Sequence, residues 1–292
     1  MAFENGVFTA PELNPSKAGL FSTIKPETYD ATPAQERWVR GYSQEFNAEP
    51  TAVKNLDDTD NSSESIYSAS GKPARFIEVK PFFIEVEDTD STFGIIGQDR
   101  FDRVLKQLDA VTQKAVENEL WTGSVTQSES LGNPYLRDAS TVTALNSGNA
   151  LSVDRALALV EHDARRRSPL GEQPIIHMTA DVASLLDTKI KYSKEKESFI
   201  TILGSKVVIG SGFTGDGPVG DDGTSASDIN KWIYATGTVS VHLGASEVVN
   251  DSLAQGYDVS GNANDMRIKA FRTASVHFDT SIHLAARVDL SA

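Results

Sequence analysis

Residues 97–123, GQDRFDRVLKQLDAVTQKAVENELWTG, carry the longest regular pattern in the chain. Phe101, Val104, Leu105, Leu108, Val111, Thr112, Ala115 and Leu120 keep a helical stripe, and Asp, Arg, Lys and Gln fill the other face. No proline interrupts the run. Gly123 supplies the stop, because glycine enters the left-handed region that ends many helices without a Cβ penalty. At 1.5 Å per residue, Gln98 to Trp121 makes a rod of roughly 36 Å, about twice the usual helix length. The middle of its stripe, Leu108 and Val111, is expected to be buried against a sheet, while Lys106 and Lys114 lie off it.

The segments on either side supply the sheet. Upstream, in FIEVKPFFIEVED (76–88), Ile77 and Val79 alternate with Glu78 and Lys80, and Phe82, Ile84 and Val86 with Phe83, Glu85 and Glu87, which predicts a half-buried antiparallel strand with Pro81 at an edge or bulge. Downstream, TVSVHL (238–243) and DMRIKAF (265–271) alternate. In SIHLAARVDL (281–290), Ile282, Leu284, Ala286, Val288 and Leu290 share one face. Between them, a helix is expected from Val153 to about Arg167, capped by Ser152. A buried strand follows over Ile175–Met178, then a second helix capped by Thr179, then two short apolar runs within FITILGSKVVIGSGF (199–213). Strand and helix alternating in this way predict an α/β unit.

The N-terminal part is different. The first thirty residues are rich in Pro, Gly, Ser and Thr and are expected to form an extended arm without a secretory signal. Thr32-Pro33-Ala34-Gln35 has the chemistry of a helix start, with Trp38, Val39, Tyr42 and Phe46 at helical spacing behind it. From Asn47 to Lys72 apolar side chains are too few to bury a core, so this stretch is a protruding loop, a hairpin or disorder.

Composition narrows the function. The 292 residues contain no cysteine, which removes disulfides, thiolate metal sites and cysteine nucleophiles, and no apolar run reaches membrane-spanning length. A net charge of −14 makes the chain a poor sequence-independent ligand for DNA, since that binding rests on cations displacing phosphate counterions. Arg165-Arg166-Arg167 read as cations at a helix C-terminus, where the macrodipole favours them. Gly210-Ser211-Gly212-Phe213-Thr214-Gly215 matches the spacing of a dinucleotide-binding loop. The next segment, DGPVGDDGTSASDIN (216–230), is acidic and lacks the helix whose N-terminus would hold a pyrophosphate, so a flexible acidic loop is expected instead. His177 is expected to be a hydrogen-bonded core histidine; His242 and His283 fall on polar phases of strands and are expected to be exposed. No catalytic, cofactor or metal residue is assigned, and the chain is not expected to be an enzyme.

In this order the pieces resemble the major capsid protein of tailed bacteriophages. RVLKQLDAVTQKAVENELWTG (103–123) is similar to the spine helix of that family's peripheral domain, and PIIHMTADVASLL with ILGSKVVIGSGF to parts of its axial domain. WIYATGTVSVHLGASEVV with MRIKAFRTASVHFDTSIHLAARVDL is similar to its closing section. The resemblance implies an α+β fold: an N-terminal arm (1–31), an N-terminal helix and extended loop (32–75), a peripheral domain with the spine helix and an antiparallel sheet (76–150 and 246–292), and an α/β axial domain (151–245). It implies a homo-oligomer, built as hexamers and pentamers of an icosahedral shell that encloses double-stranded DNA without specific binding. Scaffolding, portal and decoration proteins are the further partners it allows; the place is the virion, assembled in the bacterial host cytoplasm. The charged helical prepiece that some members carry is not expected here. An encapsulin-like compartment shell shares this fold, and a nucleotide-binding α/β enzyme is the alternative from another class.

Overall fold

The computed structural model describes residues 17–29, 48–53, 67–71, 79–91, 97–168, 173–219, 229–250 and 265–291. The helix expected to start at Thr32 lies outside the described residues. The polar stretch after it contributes two antiparallel strands, β2 (Ala48–Val53) and β3 (Tyr67–Gly71), paired with each other. Of the loop, hairpin or disorder that its composition allows, the described ends form a hairpin.

After a short helix at the arm root, α1 (Leu20–Thr23), comes the predicted rod, α2 (Gly97–Thr122), which Gly123 ends at φ +60. Its buried line advances four residues at a step through Val104, Leu108, Thr112, Val116 and Leu120. Four residues turn a helix by slightly more than one revolution, so this line winds slowly around the rod. Val111 is left on its trailing side and is 40% exposed, contrary to the expectation of burial. The winding suits a helix that changes support along its length.

The first support is a five-stranded sheet. Strand β14 (Asp265–Phe278) is its spine, paired antiparallel with β4 (Phe82–Ser91) along one edge. On the other edge β12 (Val239–Gly244) and β13 (Glu247–Asn250) lie end to end against it. Strand β1 (Glu27–Tyr29) adds to β12 in parallel. Phe82 and Ile84 face the core while Phe83 and Glu85 face solvent, as the period of two requires. Strand β4 starts directly after Pro81 on an edge, where a missing N–H costs nothing. Arg103 pairs with Asp88, and Arg272 with Asp109 at 3.1 Å, fastening the N-terminal half of α2 to this sheet.

The second support is an eight-stranded mixed sheet in the order β5, β15, β11, β7, β10, β9, β8, with β6 also on β15. The strands are β5 (Thr143–Ala144), β6 (Leu151–Ser152), β7 (Ile175–Met178), β8 (Ile190–Ser193), β9 (Ser198–Thr201), β10 (Lys206–Ile209), β11 (Asn230–Thr236) and β15 (His283–Asp289). Both faces are buried. Ile176, Met178, Val207, Ile233, Leu284, Ala286 and Val288 form one core with α4 (Val153–Arg167) and α5 (Ala180–Ser184). Ile175, Val208, Trp232, Tyr234 and Ala285 point the other way, into the core shared with α2 and the five-stranded sheet. Helix α4 has the bounds its periodicity predicts, although neither Ser152 nor Thr179 makes a side-chain cap bond to its helix.

Each sheet draws strands from both sides of residue 245. Residues 239–244 pair into the five-stranded sheet, and residues 283–289 pair with β11 in the eight-stranded one. Alternation gives each strand an apolar face but not the sheet that face joins, which depends on partners far away in sequence.

Candidate functional site

The glycine motif sits where α2 crosses from one sheet to the other. Strand β10 ends at Ile209, and no helix opens in the described residues after it: 210–219 run as turn and coil. The position an anion would take is filled from within the chain. Glu117, on α2 and fully buried, accepts the Gly212 N–H at 2.9 Å and the Ser211 hydroxyl at 3.1 Å through Oε2. Its Oε1 accepts the Leu20 N–H at 2.9 Å and the Gln113 side-chain amide at 2.8 Å. Four donors on one carboxylate repay the cost of burying a charge.

The glycines have structural reasons. A Cβ on Gly212 would collide with the Lys114 carbonyl and stand 2.8 Å from the Asn118 nitrogen, so only glycine lets the loop lie against the helix backbone. Gly215, at φ +83, takes the left-handed turn that follows. Beyond it, the Asp216 carbonyl accepts the Trp121 indole N–H and the Tyr234 hydroxyl, each at 3.1 Å. Arg137 donates to the Gly217 carbonyl at 2.8 Å and faces the Asp216 carboxylate at 3.6 Å. Residues 210–219 are pinned to α2 and β11, so the expectation of flexibility is corrected for 216–219; residues 220–228 lie outside the described residues.

Two more buried glutamates do similar work. Glu119 accepts the Val125 and Thr126 N–H groups, both at 2.8 Å, and so caps the short helix α3 (Ser124–Ser128) across the Gly123 break. Glu161 accepts the Thr201 hydroxyl at 2.6 Å and the Ser205 hydroxyl at 2.5 Å, closing the turn between β9 and β10, with Arg165 beside it at 3.5 Å. The sequence reading missed all three, because a glutamate on a helix reads as solvated. A signal was present for two of them. Glu117 and Glu119 occupy the last turns of α2, where the macrodipole disfavours acids and where no basic residue balances them.

His177 and His283 are held inside the fold. His177 is fully buried, as expected, with Nε2 2.9 Å from Thr236 Oγ1. The Thr236 hydroxyl donates to the Gly237 carbonyl, so Nε2 carries the proton. Burial, with the His283 imidazole adding to it, lowers the His177 pKa to about 3. His283 is 2% exposed, which corrects the expectation of an exposed ring. Its Nε2 donates to the Leu136 carbonyl at 3.0 Å, and its Nδ1 accepts from Thr141 Oγ1 at 3.0 Å. Burial lowers its pKa to about 4 against the opposing pull of that carbonyl and of Asp138. The polar phase of this strand faces the second core instead of solvent, which is why the reading failed. His242 is part-buried beside Glu27 at 3.5 Å. The three arginines of α4 end the helix as predicted: Arg165 reaches the Leu203 carbonyl, Arg166 faces Asp163, and Arg167 donates to Thr143.

Among the described residues nothing else converges on a reacting centre. An open cleft of about 500 Å³ runs between the arm root and the β8–β9 turn. Lys25 is paired with Glu197 beside it, and Lys206 is spent on the Thr23 carbonyl. Among the described residues no group of three or more His, Asp or Glu is arranged to hold a metal ion, and no helix is long and apolar enough to cross a membrane.

No protein-family model and no curated protein sequence matches the chain. Solved structures do. The capsid of an empty GTA particle superposes with a TM-score of 0.56 at 9% identity, covering 99% of this chain and 95% of that one. Its native counterpart gives 0.53 at 10% identity, over 98% and 97% of the two chains. A structure from Mycobacterium phage Adephagia gives 0.54 at 11%, over 99% and 94%. The chain has the phage capsid fold. At these identities the likeness is one of backbone path, and the capsid fold here is α+β throughout, with the rod α2 between two sheets.

Proposed function

We propose that this chain is a structural shell protein of a phage capsid, assembling as hexamers and pentamers of an icosahedral shell that encloses double-stranded DNA. The observation that carries the reading is coverage: the likeness to a capsid structure runs over 99% of this chain and 95% of the other. The disposition of chemistry supports it. The candidate anion loop is filled by Glu117, the two most buried histidines are locked in hydrogen bonds, and a net charge of −14 suits a wall that confines DNA without gripping it. In this reading residues 76–150 with 246–292 are the peripheral unit and 151–245 the axial unit, with strands 239–244 and 283–289 exchanged between their sheets. The arm and the β2–β3 hairpin reach neighbouring subunits, scaffolding, portal and decoration proteins are the further partners, and assembly takes place in the host cytoplasm. Electron microscopy of the purified protein tests the proposal. Closed shells or rings of five and six are expected; discrete small particles at every concentration and salt tried would overturn it.

A further inference from the structure

We propose that the arm root (18–24) and the loop 209–217 form one coupled unit, in which docking of the arm sets the order of the loop through the Glu117 carboxylate. The coupling does not depend on what the chain assembles into.

The joint has three points. The Ile209 N–H, on the last residue before the loop, donates to the Ala18 carbonyl at 2.8 Å. Glu117 Oε1 serves the arm through Leu20, and Glu117 Oε2 serves the loop through Ser211 and Gly212. A carboxylate is planar and rigid, so its two oxygens cannot move independently. Glu117 is fully buried while the arm is docked, so the arm and loop donors hold its carboxylate in place of solvent. If the arm withdraws, Oε1 keeps only the Gln113 amide, and any rotation that improves its position drags Oε2 away from Gly212. Sterics act in the same direction. A Cβ on Gly19 would overlap the Gln113 amide and stand 3.0 Å from Glu117 Oε1, so the arm root approaches this carboxylate as closely as glycine allows.

From Gly212 the path is continuous. The Gly215 carbonyl accepts the Trp232 N–H at 3.0 Å, the Asp216 carbonyl holds Trp121 and Tyr234, and the Val219 N–H donates to the Arg137 carbonyl at 3.0 Å. Val219 is 43% exposed. Whatever grips or frees the arm root is thereby felt at an exposed loop end. Coupling of this kind is reciprocal: loosening the loop must loosen the arm by the same factor.

Hydrogen exchange read by mass spectrometry on full-length protein tests this. Gly19→Val perturbs the arm side, and Ser211→Ala removes one donor on the loop side. In Gly19→Val the amides of 209–217 should exchange at least tenfold faster. In Ser211→Ala those of 20–24 should exchange severalfold faster. Amides around Leu108–Thr112 should stay protected in both. Exchange that changes only in the segment carrying the substitution overturns the coupling. Should Gly19→Val lose protection throughout α2, Ser211→Ala decides alone, since Ser211 is exposed and its truncation creates no overlap.

Discussion

Acid should weaken this protein through two imidazoles, starting above the range where carboxylates titrate. His177 and His283 have folded pKa values of about 3 and about 4, against an ordinary value of 6.5. For both, the unfolded chain binds the proton more tightly than the folded one. Stability is therefore full above pH 6.5 and falls as the pH drops from there toward the folded values. His177 has no way to soften the loss, because its Nδ1 has no partner among the described residues and a proton there would be a bare buried charge. Lowering the pH from 7 to 5 costs about 2 kcal/mol per imidazole, or about 4 kcal/mol for the pair, from the ratio of binding polynomials. That is a large part of a typical total of about 5–15 kcal/mol. His242, whose pKa burial lowers against the pull of Glu27, adds a smaller slope of the same sign. Urea unfolding of the subunit at half-unit steps of pH measures the effect, with the buried Trp121 and Trp232 as fluorescent reporters. His177→Gln with His283→Gln keeps a donor toward Thr236 and Leu136 and should flatten most of the slope. A wild-type loss under about 1 kcal/mol, or an equal loss in the double variant, would refute the reasoning.

Other perturbations separate the roles of individual residues. Leu108→Ala, at a fully buried site, should cost about 2–5 kcal/mol by chemical denaturation. Val111→Ala and Lys106→Ala, at exposed positions, should stay within about 0.5 kcal/mol, and equal costs would mean the buried line of α2 is misplaced. Gly212→Ala should cost about 1–3 kcal/mol in the same assay, because its methyl meets helix backbone that cannot step aside. Calorimetric titration with NAD or ATP should give only heats of dilution, and micromolar binding would contradict an occupied glycine loop. Deleting residues 47–72 should leave a soluble subunit with nearly unchanged circular dichroism and no closed shells in micrographs; normal shells would show that the hairpin is dispensable.

The parts legible in the sequence are those set by neighbours along the chain. The stripe and glycine stop of α2, the bounds of α4 and the alternation in β4, β12 and β15 all arise from periods of 3.6 or 2 and from caps, which are local. His177 was legible because it lies among apolar residues in a short strand. The rest needed distant partners. Nothing near residue 283 says that its polar phase meets Leu136 and Thr141, and nothing near Gly212 says that the helix backbone of Lys114 lies against it. Among the described residues 210–219 run without a helix, and 216–219, read as part of a flexible loop, are pinned in place. The rigidity of the loop comes from Glu117, Trp121 and Arg137, which lie far upstream of it in sequence.

The long strand β14 also fixes when the molecule can fold. Strand β4, made early, pairs with residues 265–274, and β1 waits for residues 242–244. The rod α2 emerges from the ribosome before the strands that will cover its stripe on either side. At a synthesis rate of about 5–20 residues per second, that stripe stays uncovered for roughly ten seconds or more. Pairings so distant in sequence also close slowly after release, because the loop entropy is spent before any contact repays it. The nascent chain thus passes through a period in which the apolar stripe of α2 and an unpaired strand edge are both open to other chains. A crowd of identical chains, all at this stage together, would join in disordered ways unless a chaperone shields them, and the demand for that shielding rises with the rate of expression.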